Sequence, residues 1–377
     1  MSIPAEKQER FHFLDGLRGI AALMIVFHHS FTSNIAAIFR HMNLPAVAYY
    51  FSYFTQSGVE LFFVLSGIVL LRPYLRQQRK FDVGQYFFRR IKRIYPPYWA
   101  ALLFGAGVSW YIYAFPTWYT HAVWHPFFLW WEVLKESVII NFDGGYYNLA
   151  WWSLGVEMFF YVLVPVVIFV FPKQHVLNNR KMIGAIIVTL VISISLQRWL
   201  TANCPVIYSY KRTTPNVYQF VCYPVCFLMG IFLAARDFST RHAYILLLVG
   251  GVFVGFSWFY LPAANAGYGL AYGGLVILAF KADGFKRFLS KPIMIWLGER
   301  SYSLFLIHFS VFYLTDSVMA HFTSPKSASY ALLTRCAGIP VALFAAMLLF
   351  HFVERRQARG LLTGNMFWPW QVRSLKI

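Results

Sequence analysis

The chain has 377 residues, 59% of them hydrophobic and only 12% charged, with a mean hydropathy of +0.54. That composition excludes an ordinary soluble domain, which would leave large apolar surfaces exposed, and points to an all-α, polytopic membrane protein. The net charge of +19 would suggest nucleic acid for a soluble protein, but here it reports topology first, and no nucleic-acid partner is expected.

Met1 to His12 is polar and charged, without a short apolar segment or a small-residue cleavage site, so no removable signal peptide is expected. The first apolar run, Phe13 to Ile35, carries ionisable groups that hydrocarbon disfavours: Asp15, Arg18, His28 and His29. Arg18 and His29 are eleven residues apart. At about 100° per residue they share one face, roughly 16 Å apart along the axis, with Asp15 near that face and His28 turned away. Charged groups inside a span face a bundle interior or a wet cavity, so this helix is expected to line a functional site. Snorkelling at the inner interface is the structural alternative for Asp15 and Arg18.

Further apolar runs fall at Ser57–Tyr74, Ile94–Phe115, Leu149–Phe171, Met182–Thr201, Val217–Ala235, Tyr244–Tyr260, Gly267–Ala282, Pro292–Leu314 and Tyr330–Val353. Each is near the length that crosses a bilayer, which gives about ten transmembrane helices in a single integral-membrane domain over 1–377. The two runs between Tyr244 and Ala282 read as short helices bent around Leu261 to Gly267, or as something less regular. With a cytoplasmic N-terminus most of the 33 Lys and Arg fall on the inner side, so both termini are placed in the cytoplasm. The segment Pro116 to Asn148, rich in Trp and Tyr (Trp118, Trp124, Trp130, Trp131), is expected to lie along the interface.

The connection between the second and third runs is the densest basic region, with Arg72, Arg76, Arg79, Lys80, Arg89, Arg90, Lys92 and Arg93 against Asp82. It reads either as topology signal and contact with anionic lipid, or as a phosphate-binding mouth for a cytosolic ligand. Arg90 and Arg93 are helix-surface neighbours that could hold one phosphate between two guanidinium forks.

Counted along their helices, His29, Glu157 and His308 all fall in the outer half of the membrane, as groups of a shared site would. Ser153 stands one turn before Glu157 on the same face, and Ser301 shares a face with His308. Helix-to-helix hydrogen bonding is the alternative role for Glu157, and polar packing for His308. Glu60, in Gly58-Val-Glu-Leu-Phe-Phe-Val-Leu-Ser-Gly67, is expected near the outer surface, and Ser66 reads as a packing residue without the elbow of a hydrolase nucleophile. The four cysteines form no CxxC pair, and neither a metal site nor a disulfide is assigned.

Five stretches in order resemble the membrane-bound acyltransferase family 3, which includes sugar O-acetyltransferases of bacterial envelopes and exopolysaccharides. They are Leu14-Asp-Gly-Leu-Arg-Gly19 with His29, the Gly58–Gly67 stretch, Arg89-Arg-Ile-Lys-Arg-Ile-Tyr-Pro-Pro-Tyr98, Trp152-Ser-Leu-Gly-Val-Glu157, and Leu297-Gly-Glu-Arg-Ser-Tyr302 with His308. The resemblance implies a cytosolic acyl-coenzyme A donor, most simply acetyl-coenzyme A, and a hydroxyl acceptor, commonly a carbohydrate, near the outer face of the bacterial inner membrane. It also implies that Arg18 and His29 are the family's essential pair and that Arg90 and Arg93 are its paired arginines. Glu354, in Phe352-Val-Glu-Arg-Arg356, is left out of the expected site because the proline that often follows the Glu-basic pair is missing.

The resulting expectation is an acyl-coenzyme A-dependent O-acyltransferase with no metal. His29, Arg18 and Glu157 do the chemistry, Glu157 by orienting His29 or by holding the acceptor. Arg90, Arg93, Arg89 and Arg72 bind the donor, and Asp15, Ser153, Tyr302 and His308 face the substrate. His29 acts as general base, with a covalent acyl-His29 intermediate as the mechanistic alternative. A transporter or flippase for an anionic or glycolipid substrate is the rival from another class; it explains buried His and Glu as a proton relay but not the five stretches.

Overall fold

The computed structural model describes residues 11–76, 81–122, 128–138, 146–170, 178–203, 221–260, 263–323 and 328–355. Within them the protein is helical, with no strand. The helices are α1 (His12–Phe27), α2 (Ser33–His41), α3 (Pro45–Gln56), α4 (Gly58–Arg76), α5 (Val83–Ala114), α6 (Trp118–Ala122), α7 (Trp130–Val138), α8 (Trp152–Val170), α9 (Asn179–Asn203), α10 (Pro224–Ala235), α11 (Thr240–Phe256), α12 (Ala263–Lys281), α13 (Asp283–Leu289), α14 (Pro292–Met319) and α15 (Ala328–Leu349). Arg79, Lys80, Trp124 and Cys204 lie outside the described residues.

Each apolar run coincides with a helix over its described residues, but among the described residues six stretches are long and apolar enough to cross a membrane: Pro45–Leu75, Leu149–Phe169, Arg180–Trp199, Ala263–Lys281, Pro292–Met319 and Thr334–Glu354. A seventh is the pair His12–Thr32 and Asn34–His41, which meet at a 55° bend. Helices α10, with 12 residues, and α11, with 17, are apolar but shorter. Between α5 and α8 the described residues form the two short helices α6 and α7 and a 3₁₀ turn, Leu149–Trp151, that leads into α8.

Small residues set the helix spacing, as expected where helices associate by close packing. A methyl group on Gly298 of α14 would stand 1.9 Å from the Asp15 carbonyl oxygen, and one on Gly230 of α10 would stand 2.1 Å from that of Val64 in α4. The glycines of the first, second and last sequence stretches are therefore crossing points between backbones. Helices α1 and α14 run in the same direction, since Gly19 meets Leu297 and His29 meets His308. Helix α4 runs against α1, with Gly58 near Ala21 and the Arg72 guanidinium over the Phe11 ring.

Two π-helical segments interrupt the α-helical pattern, His28–Thr32 after α1 and Phe350–Glu354 after α15. Such wide turns concentrate at functional sites because the extra residue re-aims side chains. Here they carry His28 and His29 in one case and Glu354 in the other.

Candidate active site

Helices α1, α4, α5, α8 and α14 surround a cavity with about 830 Å³ of empty space, its open mouth included. Its polar lining comes from Arg18, Ser66, Arg90, Arg93, Ser153, Glu157, Tyr161, Ser301 and Tyr302. Asp82 caps α5 by accepting from the Gln85 amide at 2.8 Å, and two turns later the helix presents Arg90 and Arg93, three residues apart, to the cavity. The Arg90 guanidinium lies 5.5 Å from the centres of both the Tyr86 and Tyr161 rings, and its Nε is buried without a hydrogen-bond partner. The Tyr161 hydroxyl donates to Glu157 one turn earlier on α8. Tyr302 donates to the Ile94 carbonyl at 3.0 Å, just before Pro96 and Pro97 withhold two amide donors from α5. Ser301 Oγ is fully buried and has no hydrogen-bond partner.

Above the cavity, on α14 and the π segment that continues α1, lies a pair of imidazoles. His29 Nδ1 is 2.9 Å from His308 Nε2, the rings are nearly parallel at 18°, and their centres are 5.1 Å apart. The cavity wall reaches Ile25 on α1 and Phe305 on α14, four and three residues short of the histidines. It therefore ends about one helical turn, some 5 Å, below the pair. His308 is wholly buried and His29 partly exposed. His28 points elsewhere, as its angular offset predicts, and bonds Thr55 Oγ1 at 3.0 Å.

Several placements differ from the sequence reading. Glu157 does not stand beside His29; the ring facing His29 is that of His308, and Glu157 lies among the arginines. The cause is the start of α8. Asn148 and Trp151, both buried, donate to the Leu306 carbonyl at 2.8 and 3.1 Å, so the helix begins inside the bundle at the level of the histidines. Counting down from a surface end misplaces every residue after it. Asp15 is buried where α1 crosses α14, with His12 at 4.0 Å, and does not line the cavity. Arg89 donates to Gln85 at 2.6 Å, and Arg72 stacks over Phe11 and Phe280, so neither is part of the lining. Glu60 faces inward, only 4% exposed, and accepts from Asn265 at 2.9 Å.

Glu354 joins the electrostatic surroundings of Arg18 and Arg93 and accepts from Ser303 at 2.7 Å. Its π segment turns the carboxylate inward, a signal that a missing proline after the Glu-basic pair conceals. Ser66 and Tyr161 also line the cavity; the period-3.6 alignment of Ser153, Glu157 and Tyr161 was available in the sequence for the latter. Among the described residues no group of three or more His, Cys, Asp or Glu is placed to hold a metal.

A family model described as an acyltransferase domain matches residues 11–351. The chain belongs to this acyltransferase family. It is 26% identical over 331 residues to O-acetyltransferase OatA of Staphylococcus aureus (strain NCTC 8325 / PS 47), covering 81% of this chain and 51% of that protein. It is 24% identical over 375 residues to YrhL of Bacillus subtilis (strain 168), whose name marks it provisionally as a peptidoglycan O-acetyltransferase, covering 91% and 54%. The chain thus spans about half the length of these curated relatives. No solved structure matches. Acyltransferase membership, a helical architecture over the described residues and several helices long and apolar enough to cross a membrane stand together for this protein.

Proposed function

We propose that this acyltransferase moves an acetyl group from cytosolic acetyl-coenzyme A to a carbohydrate hydroxyl at the outer face of a bacterial inner membrane, as a protein of about ten crossings with both termini cytoplasmic. The observation that carries the reading is the stacking of a guanidinium-lined cavity under a histidine pair on the same two helices. Arg90 and Arg93 hold phosphate groups of the donor, for which paired guanidinium forks are suited. Arg18 lies deeper and faces the thioester end, with Glu157 and Glu354 keeping the arginine side chains extended toward the cavity. The donor's acyl end reaches past Ile25 and Phe305 to His29. Ser153 and Tyr302 line its path.

His29 takes the proton from the acceptor hydroxyl as that oxygen attacks the thioester carbonyl carbon. The carbon–sulfur bond then breaks, and the departing sulfur recovers the proton from the imidazolium, leaving an ester and free coenzyme A. Orienting the donor charge far from the reacting atoms spends phosphate binding on positioning, which raises rate through proximity.

The test is transfer of radiolabel from acetyl-coenzyme A to envelope glycans in membranes holding the wild type, His29→Ala or Arg18→Ala. Label is expected with the wild type and lost with either variant. Undiminished label with His29→Ala removes that residue from the chemistry, and no label with any protein points to another donor or acceptor.

A further inference from the structure

His308 makes three hydrogen-bonding contacts, and two of them allow only one proton arrangement. Its Nδ1 lies 3.1 Å from the Leu304 carbonyl oxygen and 2.9 Å from that of Phe305. Carbonyl oxygens only accept, so Nδ1 of His308 carries the hydrogen. In a neutral ring the other nitrogen, Nε2, is then a bare acceptor. That acceptor faces His29 Nδ1 at 2.9 Å, so Nδ1 of His29 must be the donor, and the His29 lone pair is left on Nε2. The rings of Phe305, Phe309 and Phe312 surround His308 with centres 5.7 to 6.1 Å away, where a net charge would be costly to bury.

We infer that His308 is a positioning residue that locks His29 into the Nδ1–H tautomer and so leaves Nε2 bare to act as the base. This rests on the acyl-transfer reading above and gives His308 a role through His29 rather than on substrate. Two backbone carbonyls midway along α14 thereby set which nitrogen reacts in the π segment that follows α1. The same hydrogen bond stabilises the imidazolium once His29 has taken the proton, because both of its nitrogens then donate. The titratable groups around His29 are His308 on α14 and His28 on its own segment.

Two amide substitutions separate this role from a packing role. In His308→Gln the side-chain oxygen takes the place of Nε2 and keeps an acceptor for His29. In His308→Asn the amide takes the place of Nδ1, where its NH₂ can still serve the Leu304 and Phe305 carbonyls, but nothing faces His29. With radiolabelled acetyl-coenzyme A and the host's envelope glycans as acceptor, His308→Gln is expected to keep the saturated rate within about tenfold, and His308→Asn to lose about 10²-fold or more. The half-saturating donor concentration is expected to stay within about twofold in both, because the phosphate-binding arginines are untouched. An Asn variant as active as the Gln variant, or a loss expressed in donor affinity, overturns the inference while leaving acyl transfer in place. No transfer by the wild type overturns both.

Should the variants not fold, ¹⁵N-histidine spectra of the wild type, with His29→Ala for assignment, read the tautomer directly. At about pH 8, where imidazoles are neutral, the expected pattern is a protonated Nδ1 and a bare Nε2 on His29. The opposite pattern overturns the inference.

Discussion

The cavity, walled by α1, α4, α5, α8 and α14, and the histidine pair, carried by α14 and the π segment that continues α1, share two parallel helices, yet they differ in almost every physical respect. The lower region gathers the guanidinium groups of Arg18, Arg90 and Arg93 with the carboxylates of Glu157 and Glu354. The upper region holds two imidazoles against Phe309, with ring centres within 6 Å. Permanent charge therefore sits in the cavity, where the proposed reading puts the charged donor, and proton-carrying groups sit above it, where that reading puts the reacting hydroxyl. Separating them keeps a cation away from the base, whose proton affinity a nearby guanidinium would weaken.

If the division holds, variants of the two regions fail in different ways. His29→Ala is expected to have the largest effect, a fall of about 10²- to 10⁴-fold in the rate of label transfer with coenzyme A affinity unchanged. Isothermal titration in detergent checks the second half of that statement, and a parallel loss of affinity would merge the two regions into one. Arg93→Ala or Arg90→Ala is expected to do the reverse. A charge-assisted contact to phosphate is worth about 1.5–3 kcal/mol, so the half-saturating donor concentration should rise about 10- to 150-fold while the saturated rate moves little. Initial rates against donor concentration separate the two outcomes.

A substitution where the two helices shared by both regions cross, below the cavity, should damage both. Gly298→Ala puts a methyl group against the Asp15 carbonyl oxygen and forces α1 from α14. Overpacking of this kind costs about 1–3 kcal/mol, which a lower thermal midpoint in detergent would report. If stability falls, donor affinity and rate should fall together, since the shared crossing positions both layers.

How much of this was legible in the sequence follows from what helical periodicity encodes. Arg18, Arg90 and Arg93 stand out because charges near or inside apolar runs need a reason, and spacing of three or eleven residues specifies a face. Periodicity names the face but not its neighbour. That is why Asp15 and Arg72 read as site residues with Arg18 and yet pack at a helix crossing and over aromatic rings. Depth counting worked only where a helix starts at a surface. It placed His29 and His308 at one level, but Glu157 was misplaced because Asn148 and Trp151 anchor the start of α8 inside the bundle. The two π segments were not legible, since one extra residue per turn leaves no compositional mark, and with them went the inward turn of Glu354.

The smallest effect expected lies outside both regions, in α7. Glu136 there is fully buried; one oxygen accepts from the Tyr146 amide and the other has no hydrogen-bond partner. Burial first, then the neighbouring Glu132 charge, pushes its carboxyl up to about 7 from an ordinary 4.5, against the lowering pull of the Tyr146 bond and Lys135. A folded-state value above the unfolded one means that the folded protein holds the proton more tightly. The stabilisation is complete below about pH 4.5 and fades as pH rises through about 7, leaving α7 less firmly docked above that. Trp99 and Tyr95 of α5 donate to the Ser137 and Val138 carbonyls, so loosening should be visible as faster protease cleavage around α7 at pH 8 than at pH 5. Glu136→Gln, neutral at every pH, should flatten that dependence while leaving the transfer rate near its wild-type value. A pH dependence that survives the substitution would assign the loosening to another group and leave α7 a static strut beside the cavity helices.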